Sequence, residues 1–380
     1  MAKYMNKEFM YDKNELNNYK YVNDMSNAEV NITCYDNAII LPIKSGKGGV
    51  CNQYGKFLNS SVSESDWKSW GGEYKYKEEN IHKSEESVMF LGYHINHWGH
   101  FLIEETARFW AIGKVKKCKY VILDTSGVGI QKNFLEFLDL LGLKEADLID
   151  VKEITRFNKV YIPTQCISKK KGYTKEFKSI FDKVVNNVEL SSYNIPKKIY
   201  LSRQLFVDAK QKEFGEIDIE KLFREAGYTV VYPELLSVSH QIAIFQKAEK
   251  IACVNGTIPL MILFGNSNLD ITVFNKTSLL HDNLVQASNV TNIEPIYVDS
   301  YYEPIKNHPR YLGEGPFWIL INDNVVNYFQ KYEHIKIKKQ KKIISYYLKY
   351  YWLYFKIRIL RNSYLWARHK IGLMVKNEKK

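Results

Sequence analysis

Apolar residues follow two alternating patterns along most of the chain. Short uninterrupted runs such as SVMFLGY, KYVILD and KVYIP predict strands, as does a run near LIDV. Between them, residues 97–112 and the segment NFLEFLDLLGL carry apolar positions three or four apart, which predicts helices. Residues 1–85 are instead mostly polar loops with short strands such as NAIILPI. The alternation of strand and helix indicates a mostly parallel sheet with helices on both faces.

The same alternation restarts after the polar, helix-prone segment 168–195. The predicted strands are KIYLS, YTVVYP, KIACV and DITVF, and the predicted helices are IDIEKLFREAG, SHQIAIFQKAE and TIPLMILFGN. We therefore predict an α/β protein with two Rossmann-like domains, an N-terminal one over residues 1–190 and a C-terminal one over residues 196–330. Ligands of open α/β sheets bind at the carboxyl ends of the strands, so a cleft between the two sheets is the predicted binding site.

The composition limits where the protein works. The chain has 380 residues, 45% of them hydrophobic, which is enough apolar surface for two cores. Its five cysteines are scattered without a Cys-x-x-Cys pair, which indicates a reducing compartment. Because neither a secretory signal nor a run of about 18 apolar residues occurs in the sequence, we expect a cytoplasmic location.

The positive charge is concentrated in the last fifty residues. Residues 331–380 hold 15 Lys and Arg against 2 Asp and Glu, so they carry +13 in a chain whose total is +12. Basic and apolar residues occupy opposite sides of a helical wheel, with Lys338, Lys342, Lys349 and Lys356 on one side and Ile344, Tyr347, Tyr351 and Phe355 on the other. This pattern predicts a basic amphipathic helical tail on an anionic membrane surface, at the inner face of the cell membrane. A basic helix packed on the protein's own surface is the alternative, and we expect no nucleic-acid partner.

Candidate chemistry lies in the stretch GYHINHWGHFLIEETARFW, residues 92–110. Three histidines at three-residue spacing suggest a metal site, but on a helix they would point in different directions. His100, Glu104 and Arg108, four residues apart, would instead form one stripe that offers a base, its orienting carboxylate and an anion clamp. The same stripe would also suit a solvated ion-pair face. We expect neither a metal ion nor another cofactor.

Three segments carry a family resemblance that covers about residues 85–275. KIYLSRQ, the run AGYTVVYPELLSVSHQIAIFQKAEKIACVNGTIPLMILF and NHWGHFLIEETARFW are similar to the family 61 glycosyltransferases, which include bacterial capsular and lipopolysaccharide enzymes. The resemblance implies a GT-B-like arrangement of the two domains. It also implies catalytic roles for His100, Glu104 and Arg108, and donor-binding roles for a second set of residues: Arg203, Gln241, Asn255, Gly256 and Thr257. The chain departs from the family pattern at Asn255, at Met261 and in QLFVDAKQK after Arg203, which puts some donor contacts in question.

The resemblance implies an inverting transfer of a hexosyl, pentosyl or N-acetylhexosaminyl group. The expected donor is a nucleotide sugar, and the expected acceptor is a lipid-linked or polysaccharide glycan. Either His100 or Glu104 would be the base, and we favour His100 oriented by Glu104 because an imidazole titrates near physiological pH. The alternatives are a non-catalytic polysaccharide-assembly protein that retains the fold, and a metal-dependent hydrolase.

Overall fold

The structure is a computed structural model that describes residues 6–11, 28–63, 69–168 and 172–360. Within those residues the strands form two six-stranded sheets, a three-stranded sheet and a two-stranded pair. The predicted α/β class is confirmed.

The first large sheet contains a parallel centre and an antiparallel edge. Its strands are β2 (Ile32–Asp36), β3 (Ile39–Lys44), β4 (Lys47–Cys51), β5 (His82–His94), β6 (Lys119–Asp124) and β7 (Thr155–Pro163). β5 runs parallel to β6 and β7, whereas β2 and β3 pair antiparallel with β7 and β4 continues the edge as a hairpin. The predicted strand near LIDV forms only a single bridge, between Leu148 and Tyr120, although Val151 is buried in the core of the first sheet.

The second large sheet is entirely parallel. Its strands are β1 (Asn6–Phe9), β10 (Lys198–Leu201), β12 (Thr229–Val231), β13 (Lys250–Val254), β14 (Asp270–Asn275) and β15 (Ile296–Asp299). They lie in the order β1-β15-β14-β13-β10-β12. The central strands are covered on both faces, which is why they read as continuous apolar runs. The N-terminal strand β1 pairs with β15, so Asn6–Phe9 lies in the second sheet, not in the first.

Short elements connect and cover these sheets. The remaining strands are β8 (Ile167–Ser168), β9 (Gly172–Tyr173), β11 (Glu213–Phe214), β16 (Tyr301–Tyr302) and β17 (Phe317–Ile319). The α-helices are α1 (Trp98–Ile103), α2 (Lys132–Leu140), α3 (Lys175–Asn186), α4 (Val207–Lys210), α5 (Glu216–Glu225), α6 (Val238–Lys247), α7 (Asp282–Thr291), α8 (Asp323–Tyr332) and α9 (Ile344–Tyr354). Tighter 3-10 turns span Asn59–Ser61, Glu78–Asn80, Glu105–Ala111, Glu145–Asp147, Leu190–Ser192, Pro233–Leu235 and Ile258–Phe264, and a π-helical turn spans Phe355–Leu360.

The helices between the two large sheets form one continuous apolar core. The rings of Phe181 in α3 and Phe264, which ends a 3-10 turn of the second half, lie 5.2 Å apart. Glu136 in α2 accepts hydrogen bonds from the backbone N–H groups of Val238 and Ser239, at 3.0 and 2.8 Å, and so caps α6 across the two halves. The two halves are therefore joined by a packed interface.

The C-terminal segment packs on the body of the protein as far as the structure describes it. Tyr350 and Leu353 of α9 are buried against Phe214 of β11 and Trp318 of β17. The predicted tail is thus not a free appendage up to this point, because its inward aromatic residues complete a small core of their own. The preceding helix, α8, packs against β1 and β15 of the second sheet. Residues 361–380 lie outside the described residues.

No helix in the described part of the chain is both long enough and apolar enough to cross a bilayer.

Candidate functional site

The loop after β5 brings two predicted site residues together. The predicted helix over residues 97–112 is the short helix α1 followed by the 3-10 turn Glu105–Ala111. His100 lies in α1 and Glu104 caps its C-terminal end. Their Nδ1 and Oε1 atoms are 3.0 Å apart, as a spacing of four residues predicts. A 3-10 turn has three residues per turn, so the stripe is broken before Arg108.

The His100–Glu104 pair is asymmetric in its exposure. The side chain of His100 is 19% exposed, and that of Glu104 is 5% exposed. When Nδ1–H of His100 donates to the carboxylate, Nε2 is left as the basic nitrogen of the ring. Oε2 of Glu104 has no hydrogen-bond partner among the described residues. The imidazole is therefore the more accessible member of the pair, and the carboxylate fixes its tautomer.

Arg108 lies away from this pair. Its Nε donates to the carbonyl of Pro163 at 3.0 Å, and its Nη2 donates to the carbonyls of Ser60 and Val62 at 2.8 and 3.1 Å. The guanidinium is buried and ties the end of β7 to the loop at residues 60–62. The structure therefore places Arg108 in a structural position, whereas the sequence predicted an anion clamp.

A second buried pair holds the loop that carries His100. His94 Nδ1 lies 3.1 Å from Glu105 Oε2, and the N–H of Ile95 donates to the same oxygen at 3.1 Å. Burial alone would lower the pKa of His94, but the hydrogen bond and charge of Glu105 raise it above its ordinary value. His94 and His100 thus face different carboxylates, and the described residues contain no group of three side chains able to hold a metal ion.

The carboxyl ends of three adjacent strands carry the second half of the site. Arg203 follows β10, Gly256 follows β13 and Lys276 follows β14. Arg203 Nη2 donates to Glu213 Oε1 at 3.0 Å, and Lys276 Nζ donates to the same oxygen. Burial would raise the pKa of Glu213, but the two cations hold it below its ordinary value. Two buried cations therefore converge on one carboxylate at this sheet edge.

Two glycines allow the site to assemble. A Cβ on Gly256 would lie 2.4 Å from Arg203 Nη1, so the guanidinium occupies the space that any other side chain would need. A Cβ on Gly99 of α1 would lie 3.4 Å from Thr257 Oγ1 and 3.2 Å from Leu260 Cδ1. Trp98 Nε1 in α1 also donates to Met261 Sδ at 3.3 Å, so the helix of His100 packs on the turn that follows Gly256.

Two other predicted donor residues make internal contacts instead. Asn255 is buried, and its side chain bonds Asn275 at 2.9 Å and His281 Nδ1 at 2.8 Å, which links the ends of β13 and β14. Gln241 donates to the carbonyls of Pro233 and Leu236 at 3.0 and 3.3 Å, closing the turn before α6. Both residues stabilise the loops of the second sheet.

The sequence analysis missed Lys276, Glu213 and Glu216. Burial lowers the pKa of Lys276 to about 8, and burial raises the pKa of Glu216 to about 7. Glu216 accepts hydrogen bonds from the N–H of Arg203 at 3.0 Å and from Tyr200 Oη at 3.2 Å. A lysine directly after a buried strand was the available signal for Lys276, whereas the two glutamates fall in an ordinary polar segment.

These features define an α/β protein whose site joins a histidine–glutamate pair to the cation-bearing carboxyl edge of a parallel sheet. The family model described as Glycosyltransferase 61 matches residues 98–271, from the start of α1 into β14. The match over these residues supports glycosyltransferase family 61, and with it a glycosyltransferase activity. No curated protein matches the chain.

Proposed function

We propose that the protein is an inverting glycosyltransferase of bacterial capsule, lipopolysaccharide or exopolysaccharide biosynthesis. It transfers a hexosyl, pentosyl or N-acetylhexosaminyl group from a nucleotide sugar to a lipid-linked or polysaccharide acceptor. The observation that carries this proposal is the packing of the His100 helix on the turn after β13, where Trp98 Nε1 donates to Met261 Sδ at 3.3 Å and Gly256 leaves room for Arg203.

The donor diphosphate binds at the carboxyl edge of the second sheet. Its negative charge grows on the leaving oxygen as the glycosidic bond breaks, so fixed positive groups stabilise the transition state. Arg203 and Lys276 supply those charges, and Glu213 holds both side chains in position before the donor arrives. With two protein cations at this edge, we propose that transfer does not depend on a bound metal ion.

His100 acts as the general base. Its Nε2 takes the proton of the acceptor hydroxyl while that oxygen attacks the anomeric carbon, and the bond to the diphosphate breaks with its electron pair leaving on the nucleotide. Glu104, 3.0 Å from Nδ1, orients the ring and stabilises the imidazolium that forms. The smaller exposure of Glu104 favours His100 over Glu104 as the group that meets the acceptor.

The proposed place of work is the cytoplasmic face of the cell membrane. Residues 331–380 carry most of the excess positive charge of the chain, which is complementary to anionic headgroups. A lipid-linked acceptor would be presented at that same surface.

Two substitutions separate donor binding from chemistry. Arg203→Ala should weaken the binding of a nucleotide sugar, measured by thermal shift across a donor panel, because a phosphate partner is lost. His100→Ala should leave donor binding intact and lower turnover, measured as release of nucleoside diphosphate with a lipid-linked acceptor. Arg224→Ala, at an exposed arginine of the same half, and His82→Ala, at an exposed histidine, are the matched controls. Equal donor affinity in Arg203→Ala and wild type would remove Arg203 from the site.

A non-catalytic assembly protein with the same fold is the second candidate. It is favoured by the position of Asn255, which departs from the family pattern and is engaged in an internal network. Donor binding without transfer to the true acceptor would support it over the enzyme.

A further inference from the structure

The outward side of α9 presents an uncovered row of large apolar side chains, which we call the outer stripe. Its members and their exposed fractions are Ile344 78%, Leu348 66%, Tyr351 49%, Trp352 60% and Phe355 40%. At about 100° per residue, these positions fall within one sector of roughly 100° on the helix. Scattered exposed apolar residues are normal in proteins, but a contiguous row on one helix face marks an interaction surface.

The opposite side of the same helix fixes the outer stripe to the protein. Tyr350 and Leu353 point inward and are buried against Phe214 and Trp318, and Tyr347 Oη lies 3.2 Å from Tyr302 Oη. The outer stripe therefore cannot turn inward without breaking this small core. Its direction relative to the rest of the molecule is set by the fold.

The charges around the outer stripe indicate the kind of partner. Exposed Lys341 precedes α9, while exposed Lys349 and Lys356 fall beside the outer stripe, between its sector and the buried side. Glu333 and Glu378 are the only acidic residues of the last fifty. Apolar rings bordered by lysines, in a segment that holds only two acidic residues among its fifty, complement a surface that is apolar beneath and anionic above.

We propose that the outer stripe inserts into the headgroup boundary of an anionic bilayer, with α9 lying parallel to the membrane plane. This inference rests on the proposed function, in which the acceptor is lipid-linked and would therefore lie in the same bilayer. Lys349 lies over the ring of Phe214, 5.1 Å from its centre, and Phe214 directly follows Glu213, which binds Arg203. The bilayer contact thus lies on a helix that packs against Phe214, the neighbour in sequence of the carboxylate that holds the donor-side cations.

The test compares a double variant of the outer stripe with a matched double variant elsewhere. Leu348→Ser with Trp352→Ser removes the two most outward large residues of the middle of the helix. Leu235→Ser with Tyr54→Ser removes two side chains that are as exposed but distant in sequence, at 68% and 84%. Binding of the full chain is measured by co-sedimentation with phosphatidylcholine vesicles, with and without a third of phosphatidylglycerol.

We expect wild type and the matched variant to bind the anionic vesicles alike, and the outer-stripe variant to bind about tenfold less tightly or worse. Neutral vesicles should bind all forms weakly, since the lysines then find no counter-charge. Equal binding by wild type and the outer-stripe variant would overturn the proposal.

Two further outcomes would also overturn the proposal, because each would show that something other than a membrane covers the outer stripe. A wild-type dimer that the outer-stripe variant dissociates, seen by light scattering, would assign the stripe to a second copy of the chain. A lower melting temperature of the outer-stripe variant would show that the chain itself covers the stripe, with residues 361–380 as the candidate. Donor binding by thermal shift is a separate readout, so its absence in wild type would count against the proposed function and leave the vesicle result standing.

Discussion

The buried carboxyl of Glu216 makes the stability of the protein depend on pH in a predictable window. Burial raises the pKa of Glu216 to about 7, from an ordinary value of 4.5. The folded state therefore favours the protonated carboxyl, so the stabilisation is complete below about pH 4.5 and is lost as the pH rises through 7. A shift of this size corresponds to about 3 kcal/mol, at roughly 1.4 kcal/mol for each pH unit.

Glu216→Gln keeps the shape of the side chain and removes its titration. The amide oxygen can still accept the hydrogen bonds of Arg203 N–H and Tyr200 Oη, while the amide nitrogen replaces the oxygen that faces Gln204 Nε2 at 3.2 Å. We expect the variant to be at or below wild-type stability near pH 5. Between about pH 4 and pH 8 its free energy of unfolding should rise relative to wild type by about 3 kcal/mol, because only wild type must bury a carboxylate.

Urea denaturation of both proteins at several pH values measures this difference directly. Other titrating groups, such as His94 and Lys276, cancel in the comparison as long as their surroundings are unchanged. Glu234→Gln, at an exposed glutamate of the same half, serves as the control for the loss of one negative charge. A flat difference for Glu216→Gln would refute the reasoning, since it would mean that Glu216 is hydrated in the folded protein.

Three other predictions test the assembly of the site and of the C-terminal segment. Glu213→Gln leaves two buried cations without their carboxylate and should lower the free energy of unfolding by about 3 to 5 kcal/mol in denaturant titrations; a loss under 1 kcal/mol would contradict burial of the cluster. Gly99→Ala adds a methyl group that would lie 3.2 Å from Leu260 Cδ1 and 3.4 Å from Thr257 Oγ1; it should reduce turnover but change the free energy of unfolding by only about 1 kcal/mol or less, because the crowding opposes the better helix propensity of alanine; wild-type turnover would show that the two halves adjust freely. Truncation after Gln330 should lower the melting temperature and increase dye binding to exposed apolar surface, whereas truncation after Leu360 should not; equal melting temperatures would return the segment to a free tail.

The elements that the sequence predicts well are those whose burial is complete. KYVILD and KIACV became β6 and β13 almost residue for residue, because both faces of a central parallel strand are covered and the apolar run is uninterrupted. β1 was not predicted as part of the second sheet, since its partner β15 lies almost 300 residues away and a four-residue edge strand carries little local signal. The local pattern of apolar residues thus predicts which segments are buried, but it does not predict which distant strand completes a sheet.

Some contacts of the candidate site also follow from local sequence, and others do not. The pairing of His100 with Glu104 follows from a spacing of four on a helix, and the sequence predicted it. The place of Arg108 does not, because the backbone tightens into a 3-10 turn after Glu104, and nothing in the residue types before it requires that change. Glu213 is beyond local prediction for a different reason: its role depends on two cations that arrive from separate strand ends.

For the C-terminal helix, the periodicity of the sequence predicts two distinct helix faces but not which face packs on the protein. A helical wheel identifies opposite faces, but it treats tyrosine as apolar on either face and cannot say which face meets the protein. In α9 that choice is made by Phe214 and Trp318, whose rings leave a groove that Tyr350 and Leu353 fill. Aromatic side chains bury large areas and prefer edge-to-face partners, so the face richest in tyrosine is drawn onto the protein's own rings. Ile344, Leu348, Tyr351, Trp352 and Phe355 are then left outside, beside the lysines, so the surface most suited to a membrane is the one that the packing of α9 on Phe214 and Trp318 leaves exposed.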